Sequence, residues 1–430
     1  MRLSPIIADE RVARRAFLGD VARAAFGLSL VDGAVSRCAA ADTTAAAAGG
    51  VNVITLMMRG AMSHIDTFDP KPGREEQGET GTIATKLPGV RFGEHLPRLA
   101  GLADRLAIIR SLTTETGAHE QGTYLMRTSY PQLNSIRHPS FGSWAVHALG
   151  KRSGDLPGYV LVGNGNEHPG CGFLDPAVTP VPLADPARGL ENITRPGYLT
   201  QANFERRLAL ADRIDGDFKQ RYAGRQIEAY DRMYDDAVRL MGSGDLAAFD
   251  IAREDEKTRE RYGRSRLGQG CLLARRLVEH GVRCVEVEMG GWDMHRDLWE
   301  DLPGKVGELD AAMAALLEDL EARGLLGSTL VVLATEFGRS PKINENAGRD
   351  HHPAVFSAVL AGAGVKPGVV HGASDAGGRV PDRDAVSVAD FNATIAAACG
   401  LPWEKEFVAP NGRPFKIAND GKPIAAVLTG

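Results

Sequence analysis

The chain has 430 residues, 43% of them hydrophobic and 24% charged, enough apolar content for one large domain or two small ones. Its net charge is −5 with no lysine-rich run, so a nucleic-acid partner, which needs a basic surface, is excluded early. The five cysteines, Cys38, Cys171, Cys271, Cys284 and Cys399, lack CxxC spacing and read as buried small apolar residues, not as disulfides or a thiolate metal site.

Residues 1–48 differ in texture from the rest. Arg14 and Arg15 precede Phe17-Leu18, a small-residue apolar stretch and an alanine-rich tail. The pattern is that of a twin-arginine export leader with its linker, which implies a periplasmic or extracellular protein. An amphipathic helix with a flexible linker is the alternative, because Asp20 and Arg23 interrupt the apolar core of the leader. Arg37 argues against a lipid anchor at Cys38. No stretch is long and apolar enough to make a stable membrane span.

Residues 49–430 read as one α/β domain. Strand-length apolar runs occur at 51–58, 105–110, 158–163, 282–289, 329–335 and 354–362. Most lack polar alternation, which predicts a mostly parallel, mixed sheet sandwiched by helices. The helices at 267–281 and 303–324 carry apolar residues at spacings of three and four. Pro303 is expected in the first turn of the second and Gly324 at its end. Residues 164–265 predict a mainly helical insertion, and 405–430 a small antiparallel appendage with its turn at Asn419–Asp420–Gly421.

Sites of open α/β sheets form at the carboxyl ends of strands. The first strand is followed by Ser63, His64, Asp66 and Asp69, the second by Thr113, Thr114, His119 and Glu120. The run 282–289 leads to Asp293 and His295, and 329–335 leads to Glu336, with Asp350, His351 and His352 on its loop. A lone strand-end aspartate more often caps a helix, and a lone histidine is more often structural. Convergence is the signal. Asp293 and His295 stand at i and i+2, on one side of an extended segment, and Glu336 with His351 would close a metal site. Imidazole with carboxylate points to a divalent metal, zinc first, with manganese, calcium or iron as alternatives. Arg339, Lys342 and Arg349 are expected to neutralise anionic charge, Arg339 catalytically and the other two as substrate-binding groups. Solvated loop cations are the alternative. Ser63 and His64 are also placed at the substrate.

The segments "SHIDTFDPKPG", "EHLPRLAGLADRLAIIRSL", "AHEQGTYLMRTSYP", "RYGRSRLGQGCLLARRLVEHGVRCVEVEMGGWDMH", "DLEARGLLGSTLVVLATEFGRSPKINENAGRDHHP" and "FNATIAAACGLP" occur in this order from about residue 50. Together they resemble a large bacterial family of exported, sulfatase-like proteins of unknown function within the alkaline phosphatase/sulfatase superfamily. The resemblance implies an alkaline phosphatase-like fold and a metal site acting on phosphate or sulfate esters. It would give metal roles to Asp66, to Asp293 with His295, to Glu336 and to His351. Phe337 stands where the superfamily often has a histidine, and His119 stands near the place of the usual nucleophile. His119 is therefore taken as catalytic, and a water activated by the metal as nucleophile. The expected activity is hydrolysis of an anionic ester. The competing expectation is a secreted binding protein that keeps the fold without the activity.

Overall fold

The computed structural model describes residues 50–190, 193, 197–221 and 235–429. The expected leader, with Arg14, Arg15 and Cys38, lies outside the described residues. All six expected strands form, and they share one nine-stranded sheet. The sheet consists of β1 (Asn52–Met58), β2 (Leu106–Thr113), β3 (Tyr159–Val162), β4 (Val181–Leu183), β5 (Cys284–Met289), β6 (Thr329–Thr335), β9 (Phe356–Gly362), β10 (Val369–His371) and β11 (Val386–Ser387). Its order is β10-β2-β9-β6-β1-β5-β3-β4, and β11 pairs with β2. Only β9 runs against the rest. Between β6 and β9 the chain makes a separate ribbon of β7 (Gly338–Ile343) and β8 (Arg349–His352).

Alternation along the strands divides the core in two. On β1, Ile54, Leu56 and Met58 face one cluster, and Val53 and Met57 face the other. The first face is covered by α3 (Arg266–Glu279) and α4 (Leu298–Ala322), through Leu272, Leu273, Leu309 and Leu316. The second is covered by α1 (His119–Thr128), α2 (Phe141–Leu149) and α5 (Val388–Ala398), through Met126, Trp144, Phe391 and Ile395. Both faces of the sheet are dry, which is why its strands read as unbroken apolar runs. Each large side chain buried there contributes about 1.5–3 kcal/mol.

Three boundaries differ from the sequence expectation. Helix α4 begins at Leu298, so Pro303 lies inside it and not in its first turn. Leu298 and Leu302 are buried and extend the apolar stripe N-terminally, which outweighs the hydrogen bond lost at the proline. The segment 164–265 is helical over Gln201–Arg221, Gly244–Phe249, Ile251–Arg253 and Glu256–Arg261, and it also gives β4 to the sheet edge, where Pro182 is tolerated because an edge strand can lose a donor. The C-terminal hairpin pairs Phe407 with Phe415 and turns at Ala409–Gly412. Asn419 and Gly421 do form a turn, but no second pair of strands flanks it. The four described cysteines are buried and none is in a disulfide. No helix among the described residues is long and apolar enough to cross a membrane.

Candidate metal centre

Parallel strands share a polarity, so the carboxyl ends of β1, β2, β5 and β6 lie along one edge of the sheet. The loop after β5 alternates there: Trp292 and Met294 are buried, while Asp293 and His295 face outward. It is anchored by the bond from Trp292 N–H to the Arg59 carbonyl, just past β1. Gly60 makes this approach possible, since a Cβ there would lie 2.6 Å from the Asp293 nitrogen. The β7–β8 ribbon folds back so that His351 stands opposite Arg339, beside Glu336. Gly348 permits that return, because a Cβ there would meet the His295 carbonyl carbon at 2.1 Å. His119 is the first residue of α1.

The outcome is a cluster around one oxygen. Asp293 Oδ1 has His295 Nε2 at 3.0 Å, His351 Nε2 at 3.1 Å and His119 Nε2 at 3.3 Å. Ligand atoms of His119, Asp293 and His351 all lie within 4.8 Å of one another. His295 Nε2 is also 3.0 Å from His351 Nε2. The opposite ring nitrogens are all engaged. His119 Nδ1 meets Glu336 Oε1 at 2.6 Å, His295 Nδ1 meets Asp350 Oδ1 at 2.9 Å, and His351 Nδ1 meets the Gly117 carbonyl at 2.7 Å. Each of these partners is an acceptor that a protonated Nδ1 satisfies, with Nε2 turned inward to Asp293 Oδ1. His295 Nε2 also stands 3.3 Å from Nη1 of the buried Arg339, so a guanidinium borders the cluster. The His119 Nε2 atom, moreover, is buried and makes no hydrogen bond.

These residues fit a metal ion. Tetrahedral bonds of about 2.0 Å place ligand atoms about 3.3 Å apart, and the spacings from Asp293 Oδ1 are 3.0–3.3 Å. An acceptor behind each imidazole is the usual outer support of metal-binding histidines. Phe337 closes the apolar side, with its ring 4.9 Å from that of His119 and 5.0 Å from that of His351. The Glu336 hydrogen bond raises the His119 pKa against the opposing effect of burial. For Asp293, burial acts to raise the pKa. The Arg339 hydrogen bond and charge, joined by His351 and His119, outweigh it and hold the carboxyl well below the usual range.

Several of the assigned residues lie in surroundings that the sequence did not anticipate. Glu336, expected as a ligand, spends its buried carboxylate on His119 Nδ1 and on Gly60 N–H at 2.8 Å, so it positions a ligand. His119, expected as the catalytic group, stands with its Nε2 3.3 Å from Asp293 Oδ1, among the residues that could hold a metal ion. Arg339 is buried, and it donates to the carbonyls of Ala61, Gly60 and Arg349 and to Asp293. Its fifth N–H meets His295 Nε2 at 3.3 Å, so all five donors have partners within the chain. Asp66 is not in the cluster. It accepts from Ser63, from Thr80 at 2.7 Å and from Arg349 at 2.7 and 3.3 Å, so Asp66, Ser63 and Arg349 form one buried knot. His64 is also buried, on the Gly378 carbonyl at 2.9 Å. Lys342 is exposed on β7. His352 turns the other way, onto the Arg379 carbonyl at 2.6 Å.

Beside the cluster opens a cleft of about 320 Å³, lined by Arg59, Gly60, His119, Gly163, Asn164, Arg266, Glu288, Gly290, Gly291, Asp293 and Glu336. Sequence reasoning did not single out Arg266, Glu288, or the supporting roles of Asp350 and Gly117. Glu288 could have been found, since an acid inside an apolar strand must have a partner, and here Arg127 of α1 binds both Glu286 and Glu288. That link ties the helix bearing His119 to the strand that leads to Asp293.

Residues 51–428 match the model of the family described as "Protein of unknown function (DUF1501)". No curated protein matches the chain. Among solved structures it is similar to the PsFucS1 sulfatase from Pseudoalteromonas sp., at 13% identity and a TM-score of 0.40 over 98% of this chain and 77% of that one. It is similar also to the phosphonate monoester hydrolase SpPMH from Silicibacter pomeroyi, at 13% identity and 0.39 over 87% and 76%. A third is the lipoteichoic acid synthase LtaP from Listeria monocytogenes, at 10% identity and 0.38 over 96% and 82%.

Proposed function

The chain belongs to the DUF1501 family, and within it we propose a metal-dependent hydrolase of sulfate or phosphate esters that acts outside the cytoplasm. The observation that carries this reading is the set of inward Nε2 atoms on Asp293 Oδ1, each with its Nδ1 fixed from behind. His119, Asp293 and His351 would hold the ion, with His295 completing the set from the Asp293 and His351 side. The donors are imidazole and carboxylate, which suits zinc first, then manganese or iron. Calcium, which takes six to eight oxygens, does not match them. A divalent ion supplies Lewis acidity, which polarises an ester oxygen and acidifies a water.

The residues of the chain do the rest. Glu336 and the Gly117 carbonyl fix the tautomer and direction of two imidazoles before substrate arrives. Arg339 keeps Asp293 charged and in place. The described lining of the cleft contains no serine, threonine or cysteine, and its carboxylates are held by Arg127, Arg339, His119 and Gly60 N–H, so we assign the attack to water. Thr113 bonds to the Val386 carbonyl at 3.3 Å, and neither it nor Thr114 lines the cleft.

The test is zinc titration of chelator-treated protein, followed by turnover on a panel of sulfate and phosphate esters. His119→Ala should abolish hydrolysis and Glu336→Ala should lower it about 10–100-fold, while Thr113→Ala and Thr114→Ala leave most of it. Phosphate or sulfate found covalently attached to either threonine would overturn the water route. Wild-type turnover in His119→Ala would remove the metal from the mechanism. A protein that neither binds zinc nor hydrolyses any ester would be a binding protein on the same fold.

A further inference from the structure

The charged groups lining the cleft are committed to partners, with one exception. Arg59 is paired with Glu167 at 2.7 Å, and Glu288 accepts from Arg127 and from Asn164 N–H at 3.0 Å. Glu336 holds His119 and Gly60, and Asp293 holds Arg339. Arg266 is exposed, lines the same cleft, and makes no hydrogen bond or ion pair among the described residues. Its position is well defined. Ser265 caps α3 by accepting from Gly268 N–H at 3.2 Å, and Leu267 on the next position is buried in the core. Arg264, two residues earlier in "GRSRLGQG", is paired with Glu256. The backbone at Arg266 is thus fixed while its guanidinium has no partner among the described residues.

We propose that Arg266 is the anion-recognition residue of this cleft and takes the tetrahedral oxyanion head, sulfate or phosphate, of a small ester. This rests on the reading of the cleft as the reaction site, and it moves recognition away from Arg339, Lys342 and Arg349. A planar guanidinium fits two oxyanion oxygens at once and is more weakly hydrated than an ammonium. A cleft of about 320 Å³ is at the lower end of small-molecule sites, so one oxyanion and one small organic group fill it. The glycines Gly163, Gly290 and Gly291 put backbone, not side chains, along the wall that this group would meet.

The experiment is calorimetric titration of inorganic sulfate and inorganic phosphate into wild type, R266Q and R266K, each with chelator and with added zinc, beside a zinc titration of each protein. R266Q should weaken oxyanion binding about 10- to 100-fold, the loss of a charge-assisted bond, in both metal states. R266K should recover part of it, and zinc affinity should be the same in all three proteins. The phosphate and sulfate arms identify which head group the cleft prefers. Oxyanion affinity in R266Q equal to that of wild type would overturn the proposal, as would wild type that binds neither anion. If wild type takes no zinc while R266Q still loses the anion, the metal reading fails and the subsite stands.

Discussion

Asp66 and Asp293 look alike in sequence and differ in what surrounds them. Each follows a strand of the same sheet end, and each meets an arginine of the β7–β8 ribbon, Arg349 for one and Arg339 for the other. The Asp66–Arg349 pair is 0% exposed on both sides, and both of its carboxylate oxygens are taken by hydroxyls and the guanidinium. The Asp293 side chain is 46% exposed, and one of its oxygens faces an arginine and three imidazoles. In the first, donors and acceptors balance. In the second, three imidazole nitrogens and a buried guanidinium converge on one half-exposed carboxylate, the arrangement proposed above to take a metal ion.

The sharpest way to break the contrast is to remove the balanced partner. Asp66→Ala leaves Arg349 buried without its countercharge and should cost about 3–5 kcal/mol, read as a large fall in Tm, with zinc affinity of the folded protein unchanged. If stability held and zinc was lost, Asp66 would belong to the centre after all. The same region predicts acid lability. Burial lowers the His64 pKa from 6.5 to about 4, with Asp69 opposing, so the folded state binds this proton less readily than the unfolded chain. Its contribution is fully present above pH 6.5 and is lost as pH falls towards 4, on the order of 3 kcal/mol in all. Chelator-treated His64→Gln should show a flatter Tm profile over that window, and an unchanged slope would refute the assignment.

Around Asp293 the effects should appear in binding. His351→Ala should lower zinc affinity by about 100-fold or more, beyond the loss typical of an outer partner, while the metal-free Tm moves little. Glu336→Gln, which keeps the shape but weakens the acceptor behind His119, should cost about 10–100-fold. Zinc titrations of both would order them, and a larger effect from Glu336 than from His351 would reverse the assignment of ligand and support.

Much of this was legible in the sequence because periodicity and polarity are local. Apolar runs named the six strands, and parallel strands bring their carboxyl ends together, which grouped Asp293, His295, Glu336 and His351, with Asp66 added by the resemblance and His119 taken as catalytic. The i, i+2 spacing in "GWDMH" survives as the outward pair of a segment whose Trp292 and Met294 are buried. What was not legible depends on burial and on which atom meets which. Arg339 and Arg349 carry the same charge as any surface cation in the sequence, but the fold encloses both. Glu336 could have been ligand or support, and only the placement of His119 at the start of α1 decides between them. Arg266 gave no signal, since an unpaired arginine is recognised only by the absence of neighbours.

The place of β1 in the sheet has a consequence for assembly. Val53 pairs with Cys284 on one side and with Leu330 on the other. The middle of the sheet is therefore closed by strands that leave the ribosome long after it does, and the entropy of that long closure falls on the slowest step of folding. Until β5 and β6 arrive, β1 presents two unpaired edges, a hazard for association with other chains. The pairing that buries this strand also sets Gly60 beside Asp293 and Glu336, so the candidate centre depends on that long-range closure.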